Sequence, residues 1–409
     1  MHMDHFKSGM DRVFKTPLYA SLYESHGINR SDIKSKEDLS KLPTVSKKHI
    51  NEDYTKAIAK PDDVIKYHTT SGSSGNPTVV AFTKNDWDIY TRQNAKCLQL
   101  IGATKHDTFY NTTPYGMFFA GMVVHDGAIR LGGKVVPAGT LSTAGAHLDL
   151  IKIFNPTVFI GIPQFLLKLG RIITDKGNDP RELSIKKAYC LGEPLPDKKR
   201  ELIEDLWDID VYLGYGLSEI GAGAECSERL GYHWPIDDVL VEVLDEKNGK
   251  GELTYTTLTK TGTLAVRFRS GDLGYKIDEL CPCGEKSPVI SHIEERLDDL
   301  VKVKGTLISP FGVDAAMYSF KNVNNYLFII DEEEGIDTVK VYVDVEGRNI
   351  DTLSIKKAIY SKIYITPKSV KLVEKDSIPL ISRKGKRFVD LRKTNPYNNT
   401  IRNFEKGVL

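Results

Sequence analysis

The 409-residue sequence predicts a large α/β domain followed by a small α+β domain, and three observations carry that reading. From Val64 to about Ser291, short apolar runs end in Gly- or Pro-rich turns and helical stretches follow them. Past Asp298 the texture changes to an alternating strand, a helix and a further strand. The length also exceeds what one ordinary core organises, so two domains are expected.

The elements follow in order. Residues 8–60 read as short helices broken at Gly27, Pro43 and Pro61, with Ser46 suited to cap a helix from about Lys47. Strands are expected from Val64 to His68 and from Val79 to Phe82, on either side of a polar loop. KVVPAG (134–139), PTVFIGIP (156–163) and KKAYCLGEPLP (186–196) each read as a strand running into a turn. An apolar helical stretch from Phe165 to Ile173 follows the middle one. Such strand ends are where ligands sit in open α/β sheets. Further on, Val339, Val341, Val343 and Val345 alternate with Lys340, Tyr342 and Asp344, as on a half-buried strand. Ile355, Ala358, Ile359 and Ile363 fall at helical spacing, and SVKLVEK (369–375) reads as another strand. The charged segment Arg296 to Asp299 has no apolar face. It places the expected boundary between domains 1–297 and 298–409.

Composition excludes several classes. With 56 basic and 55 acidic side chains the formal charge is +1, so nothing electrostatic points to nucleic acid or an anionic membrane. No run approaches the roughly 18 apolar residues of a membrane span. MHMDHFKSGM lacks a secretory core, and the expected location is the cytoplasm. The five cysteines are Cys97, Cys190, Cys226, Cys281 and Cys283, an odd number that argues against a disulfide framework. Cys226 and His233 form C-x6-H, and Cys281 and Cys283 form C-x-C. Three thiolates and one imidazole make a closed tetrahedral set, which predicts structural Zn2+.

Five segments carry candidate chemistry. TTSGSSGNPT (69–78) offers hydroxyls and an open backbone able to wrap a polyphosphate. It is not a GxxxxGK[ST] loop, because the lysine and the spacing differ. In YGLSEIGAG (215–223), Glu219 follows a turn, and a carboxylate there suits Mg2+, which needs one or two carboxylates plus phosphates. In RFRSGDLGY (267–275), Asp272 sits in an expected glycine turn after an apolar strand, where it can accept two ribose hydroxyls. ERLDDLVKVKG (295–305) and IPLISRKGKRFVDLR (378–392) are charge runs, the second a cationic loop with a glycine beside Lys384 and Lys386. Taken singly, each is an ordinary polar turn or solvated run.

In this order and at these distances the five segments resemble the adenylate-forming superfamily of acyl-coenzyme A synthetases, most closely the phenylacetate–coenzyme A ligase family. PLYASLYESHGI, YGMFFAGMVVHDGAIRLGGKVVPAG, CPCGEKSPVISHIEERLDDL and GKRFVDLR carry the resemblance, over about residues 10–400. It implies an ATP-dependent carboxylic acid–CoA ligase with ATP, Mg2+ and coenzyme A, a mobile C-terminal domain and a homodimer. Thr70, Ser71, Ser73 and Ser74, with Gly72 between them and Gly75 following, would hold the β- and γ-phosphates. Gly192, Glu193 and Pro194 would line the adenine slot. Tyr215 would stack on adenine, with Gly216, Leu217 and Ser218 completing that turn. Glu219 would bind Mg2+, Asp272 the ribose, and Arg296 the ribose and phosphate side. Asp298 would be the hinge, Lys304 and Gly305 would guide the pantetheine thiol, and Lys386 would be the catalytic lysine. Two departures stand out: Asn76 replaces a lysine common in relatives, and the spacing leaves Lys384 as a rival to Lys386.

Tyr115, Phe118, Phe119, His125 and Ala222 are the candidate acid pocket. GMFFAG (116–121) puts two aromatics beside small residues, and the run from Ile220 to Gly223 is small and flat; together they suit a planar aromatic acid. Two other readings compete. One is an adenylation enzyme loading a separate carrier protein's phosphopantetheine. The other is a catalytically silent, zinc-containing relative that only binds a nucleotide or acid. Acid-dependent exchange of pyrophosphate into ATP, followed by coenzyme A against carrier protein, separates all three.

Overall fold

Five short runs rich in β-branched and aromatic residues form the parallel part of a nine-stranded sheet. Their spatial order is Lys134–Val136, Thr108–Asn111, Val158–Gly161, Lys187–Cys190 and Asp210–Leu217, each parallel to its neighbour. Every residue of Val158–Gly161 is buried, as expected of a strand covered on both faces. Helices Ala120–Leu131, Ala144–Phe154, Pro163–Asp175 and Asp197–Trp207 lie between these strands in the chain. Beyond Asp210–Leu217 the sheet turns antiparallel through Gly221–Ala224, Tyr232–His233, Val289–Ile290 and Lys276–Ile277.

The computed structural model describes residues 3–407, apart from 71–76, 140–142, 235–238, 346, 348–349, 380, 382–386 and 395. They divide into two units. The first holds Met1–Phe165, Leu169–Glu193 and Trp207–Ile293; the second holds Leu166–Lys168, Pro194–Leu206 and Glu294–Leu409.

In the first unit the N-terminal stretch is helical, with Met3–Val13 and Pro17–Ser25, and Ser46 precedes the helix Lys47–Glu52. Strands Val64–Thr69 and Val79–Thr83 pair antiparallel around the polar loop. Helix Lys84–Leu100 starts on a reciprocal cap: the Asp86 N–H donates to Thr83 Oγ1 (3.2 Å), and the Thr83 N–H donates to Asp86 Oδ2 (3.1 Å). That helix packs closely on Ala120–Leu131, because a Cβ at Gly127 would lie 2.7 Å from Asn94 Cβ. Phe82, Ile89, Tyr90, Leu98, Phe109, Val124 and Ile160 are buried together between helices and sheet. A second antiparallel set comprises Val239–Lys247, Lys250–Thr257 and Ala265–Gly274; of these, the sequence pattern marks only the apolar strand leading to Asp272.

The second unit contains a sheet in the order Ser369–Val373, Ile336–Val345, Val323–Glu333, Phe388–Asp390. Helix Thr352–Ile363 buries Ile355, Ile359 and Ile363, one face at helical spacing. Phe388–Asp390 corrects the reading of 378–392 as a charged loop throughout: it is a strand parallel to Val323–Glu333, with Phe388 stacked on Phe328 at 5.1 Å. No helix among the described residues is long and apolar enough to cross a membrane.

Candidate active site and metal centre

Strand Asp210–Leu217 reverses through Ser218, Glu219 and Ile220 into Gly221–Ala224, with Leu217 opposite Gly221. Gly221 has φ +144°, a backbone conformation that favours glycine, and lies against the Gln93 amide, which a Cβ there would displace. Glu219 has no exposed surface, and among the described residues neither carboxylate oxygen has a hydrogen-bond partner. Lys47 Nζ stands 3.9 Å from Oε1. The backbone of the turn, by contrast, is held. Tyr90 Oη donates to the Ser218 carbonyl (2.8 Å) and Lys260 Nζ to the Glu219 carbonyl (2.7 Å). A buried carboxylate on a fixed backbone with both oxygens unused is arranged for a ligand.

Asp272 is also buried, and Tyr215 Oη donates to its Oδ2 at 2.5 Å. Burial, then the Asp272 charge, push the Tyr215 phenol well up, so it stays a protonated donor. The Tyr215 ring lies 5.5 Å from that of Tyr232 and 5.6 Å from that of Trp234. The sequence reading put Asp272 in a turn after a strand; it lies inside Ala265–Gly274. The pairing shifts register there, Gly271 takes φ +79°, and the Gly271 N–H donates to Glu252 Oε1 at 2.9 Å. An irregularity within the strand, not its end, presents Asp272.

The Ser/Gly-rich loop expected to wrap a polyphosphate enters and leaves through a clasp. The Thr70 N–H donates to the Thr78 carbonyl (3.0 Å), and the Thr78 N–H donates to Thr70 Oγ1 (3.0 Å). Ser71, Gly72, Ser73, Ser74, Gly75 and Asn76 lie outside the described residues, as do Lys384 and Lys386. Gly192 has φ +88°. The Glu193 side chain accepts from the Gln164 N–H (2.8 Å) and so caps helix Pro163–Asp175.

In the second unit, Arg296 lies on the short strand Glu295–Arg296, and Asp298 is exposed in the turn Leu297–Asp299. Lys304 (φ +47°) and Gly305 (φ +83°) form the two-residue turn of a hairpin, Val301–Val303 with Thr306–Ile308. Of the acid-pocket candidates, Tyr115 Oη contacts His125 Nδ1 (3.1 Å) and accepts from Asn111 Nδ2 (2.8 Å). Phe119 packs on Phe82 and Tyr90, both at 5.7 Å, while Phe118 and Ala222 are half-buried. The Ala222 N–H donates to Gln93 Oε1 (3.3 Å). Sequence reasoning missed Gln93, Tyr90 and Lys260: a polar residue on a helix or loop carries no mark that it will be buried.

The Cys/His quartet comes together through strand pairing. His233 sits opposite both Ala224 and Val289; Cys226 lies two residues past Ala224, and the Cys281–Cys283 loop leads into Val289–Ile290. Their four donor atoms lie within 4.8 Å of one another. Cys226 Sγ is 3.6 Å from Cys281 Sγ, and Cys283 Sγ is 3.4 Å from His233 Nε2. A tetrahedron with Zn–S of about 2.3 Å has edges of about 3.8 Å, so the quartet needs only small adjustment to hold the ion. Ser287 Oγ stands 3.4 Å from His233 Nδ1, leaving Nε2 toward the cluster. The Glu285 N–H donates to Cys283 Sγ (3.4 Å).

The comparisons with known proteins bear on the same regions. Residues 17–267 match the AMP-binding enzyme family and residues 305–392 its C-terminal domain, so the class is that of AMP-binding, adenylate-forming enzymes. A phenylacetate-coenzyme A ligase of Thermus thermophilus is 31% identical over 81% of this chain and 77% of its own. One of Escherichia coli is 27% identical over 92% and 90%. The chain belongs to the phenylacetate–coenzyme A ligase family. It is an ATP-dependent acid–thiol ligase that works through an acyl-adenylate. A solved 2-hydroxyisobutyryl-CoA ligase, in the postadenylation state with R3-HIB-AMP, shares the fold: TM-score 0.85, 21% identity, 99% of this chain and 91% of that one. An anthranilate CoA ligase with anthranoyl-AMP gives TM-score 0.62 at 16% identity, over 80% and 66%.

Proposed function

We propose that this ligase activates a small planar aromatic acid, with Glu219 as its divalent-cation ligand and Lys386 as its adenylating lysine. The observation that carries the site assignment is the buried Glu219 carboxylate, whose two oxygens have no hydrogen-bond partner among the described residues. A carboxylate is a poor electrophile, and its charge repels nucleophiles. Adenylation replaces oxide with AMP as the leaving group. In the first half, a carboxylate oxygen attacks the α-phosphorus and the bond to pyrophosphate breaks. In the second, the coenzyme A thiol loses its proton and attacks the adenylate carbonyl, and AMP leaves. Bound at Glu219, Mg2+ would supply charge neutralisation on the phosphates. Thr70 closes the neck of the loop that would wrap them, and Asp272, oriented by Tyr215, would accept the ribose hydroxyls. Lys386 would place its ammonium where charge builds on the α-phosphate.

The aromatic preference is supported by the names of the relatives and by the small residues Gly221 and Ala222, which lie against Gln93. Pyrophosphate exchange with a panel of aryl and short alkyl acids tests it. Exchange driven better by short alkyl acids overturns the preference. Thioester formation only with a carrier protein, and not with coenzyme A, would reassign the acceptor.

We also propose that Cys226, His233, Cys281 and Cys283 hold one structural zinc. All four protein ligands come from the chain, so no coordination position is left for chemistry. Elemental analysis is expected to find one zinc per chain, lost in Cys281→Ser. Metal-free protein of unchanged stability would refute this.

A further inference from the structure

We infer that Lys260 is a positioning residue for the cation-binding carboxylate: it pins the Ser218–Glu219 backbone from below, so that Glu219 meets a divalent cation already in place. The inference rests on the assignment of Glu219 as that ligand. Lys260 lies on the loop between strands Lys250–Thr257 and Ala265–Gly274 and is 1% exposed. Burying an ammonium costs several kcal/mol, and this one is not spent on a carboxylate oxygen. Its two hydrogen bonds go to the Glu219 carbonyl (2.7 Å) and to Tyr90 Oη (3.0 Å). Tyr90 Oη in turn donates to the Ser218 carbonyl (2.8 Å). One cation and one phenol therefore hold two consecutive carbonyls of the turn, and the Glu219 carboxylate takes no part.

The loop that carries Lys260 is itself immobilised. Arg12 Nη1 donates to the carbonyls of Leu258 and Lys260, both at 3.0 Å. The N–H groups of Thr261 and Gly262 donate to Asp86 at 2.8 and 2.7 Å. A Cβ at Gly262 would come 2.3 Å from the Ala81 carbonyl oxygen, so that segment lies flat on its neighbour. Lys260 is thus a strut between a rigid loop and a turn whose side chain is kept for something else. The groups facing its ammonium are Asp86, Glu219, Tyr90 and the ring of Phe82. Burial draws its pKa down to about 8, in line with an ammonium short of direct carboxylate contact.

The test measures cation binding, not turnover. Full-length wild type, Lys260→Met, Lys260→Arg, Tyr90→Phe and Glu219→Gln are titrated with Mn2+ in the presence of a non-hydrolysable ATP analogue, followed by water-proton relaxation. Removing a group that orients a metal ligand commonly weakens the metal by about 10–100-fold, and that loss is expected for Lys260→Met. Lys260→Arg should recover part of it, and Tyr90→Phe should show a smaller loss in the same direction. Exchange activity of Lys260→Met should be restored by raised Mg2+, with KM for the acid unchanged. Wild-type Mn2+ affinity in Lys260→Met overturns the inference. If that variant does not fold, wild-type affinity in Tyr90→Phe overturns it instead. Glu219→Gln separates the two assignments. Retained Mn2+ affinity there removes Glu219 as the ligand and the role of Lys260 with it. Loss in Glu219→Gln with no loss in Lys260→Met removes Lys260 alone.

Discussion

Asp86 and Glu219 are both acids with no exposed surface, and their hydrogen-bond accounts are opposite. Asp86 accepts from three backbone N–H groups, those of Thr83, Thr261 and Gly262. Among the described residues Glu219 accepts from none. Asp86 ties a helix N-terminus to a loop from a distant part of the chain, so its charge is consumed by the fold. The Glu219 charge faces Lys47 Nζ at 3.9 Å but no hydrogen-bond donor among the described residues, while Tyr90 and Lys260 hold its backbone. Burial alone does not separate a structural acid from one kept for a ligand; the number of donors each has collected is the observation that sets these two apart.

That contrast is open to direct attack, and the largest effect is expected at the working acid and its cationic counterpart. Glu219→Gln should lower acid-dependent pyrophosphate exchange by about 10²–10³-fold, with thermal unfolding unchanged or slightly later. Near-normal exchange would make Glu219 a structural residue after all. Lys386→Ala should cost about as much in the same assay. Given preformed acyl-adenylate and coenzyme A, however, it should form thioester at a near-normal rate, since the proposed role of the cation is confined to the first half. Lys384→Ala is the control. Loss confined to that variant would move the role by two residues, and equal failure of both halves would break the separation.

Asp86→Ala should show the reverse pattern. Three buried N–H groups would lose a charged acceptor, at a cost of about 3 kcal/mol of stability in urea unfolding, with residual activity tracking the folded fraction. A fully stable but inactive Asp86→Ala protein would dissolve the distinction.

Asp314, in the second unit, is a third kind of buried acid. Burial by itself raises its pKa, but Arg387, Lys199 and the Tyr326 hydroxyl outweigh burial and hold it below the ordinary 3.8. Tyr326 Oη donates to it at 2.5 Å, and Arg387 Nη2 is 3.2 Å away. A depressed folded-state pKa gives stability that is fully present above the unfolded value and is lost as pH falls through the folded one. Asp314→Asn should therefore cost about 1–2 kcal/mol between pH 5 and 7. The gap to wild type should shrink only below about pH 4, where the unfolded carboxyl binds its proton. A gap constant down to pH 3 would mean that packing, not charge, accounts for the loss.

The parts of this molecule that could be read in the sequence are those where residue type alone limits the options. Three cysteines and a histidine at close spacing have few fates, and the structure brings their donor atoms together. Val339 to Val345 and Ile355 to Ile363 announce a strand and a helix because period and face coincide. Asp86 and Lys260 could not be found this way. A charged residue in the first turn of a helix, or in a Thr/Gly-rich loop, has the same pattern whether it faces water or the interior. Asp272 was misplaced because a register shift inside a strand looks in sequence like the strand's end. Phe388–Asp390 was hidden by the basic residues that precede it.

The smallest expected effect tests whether the metal quartet dominates its surroundings. Lys96, on helix Lys84–Leu100, reaches Glu285 in the loop between Cys283 and Val289, with Nζ 2.7 Å from Oε2. The Lys96 hydrogen bond holds the Glu285 carboxyl below the usual range. Both side chains keep some exposure, 42% and 23%, so solvent screens the pair and its expected worth is below about 1 kcal/mol. With zinc bound, four ligands already fix the loop, and Lys96→Ala should be near neutral and insensitive to salt. With zinc stripped by a chelator, the ion pair becomes one of the loop's few remaining ties. The same substitution should then cost more, and added salt should reduce the difference. The check is a four-way comparison of urea unfolding: wild type and Lys96→Ala, each with and without metal. Equal costs in both metal states would mean that the quartet does not order this loop and that its ligands are held by the sheet alone.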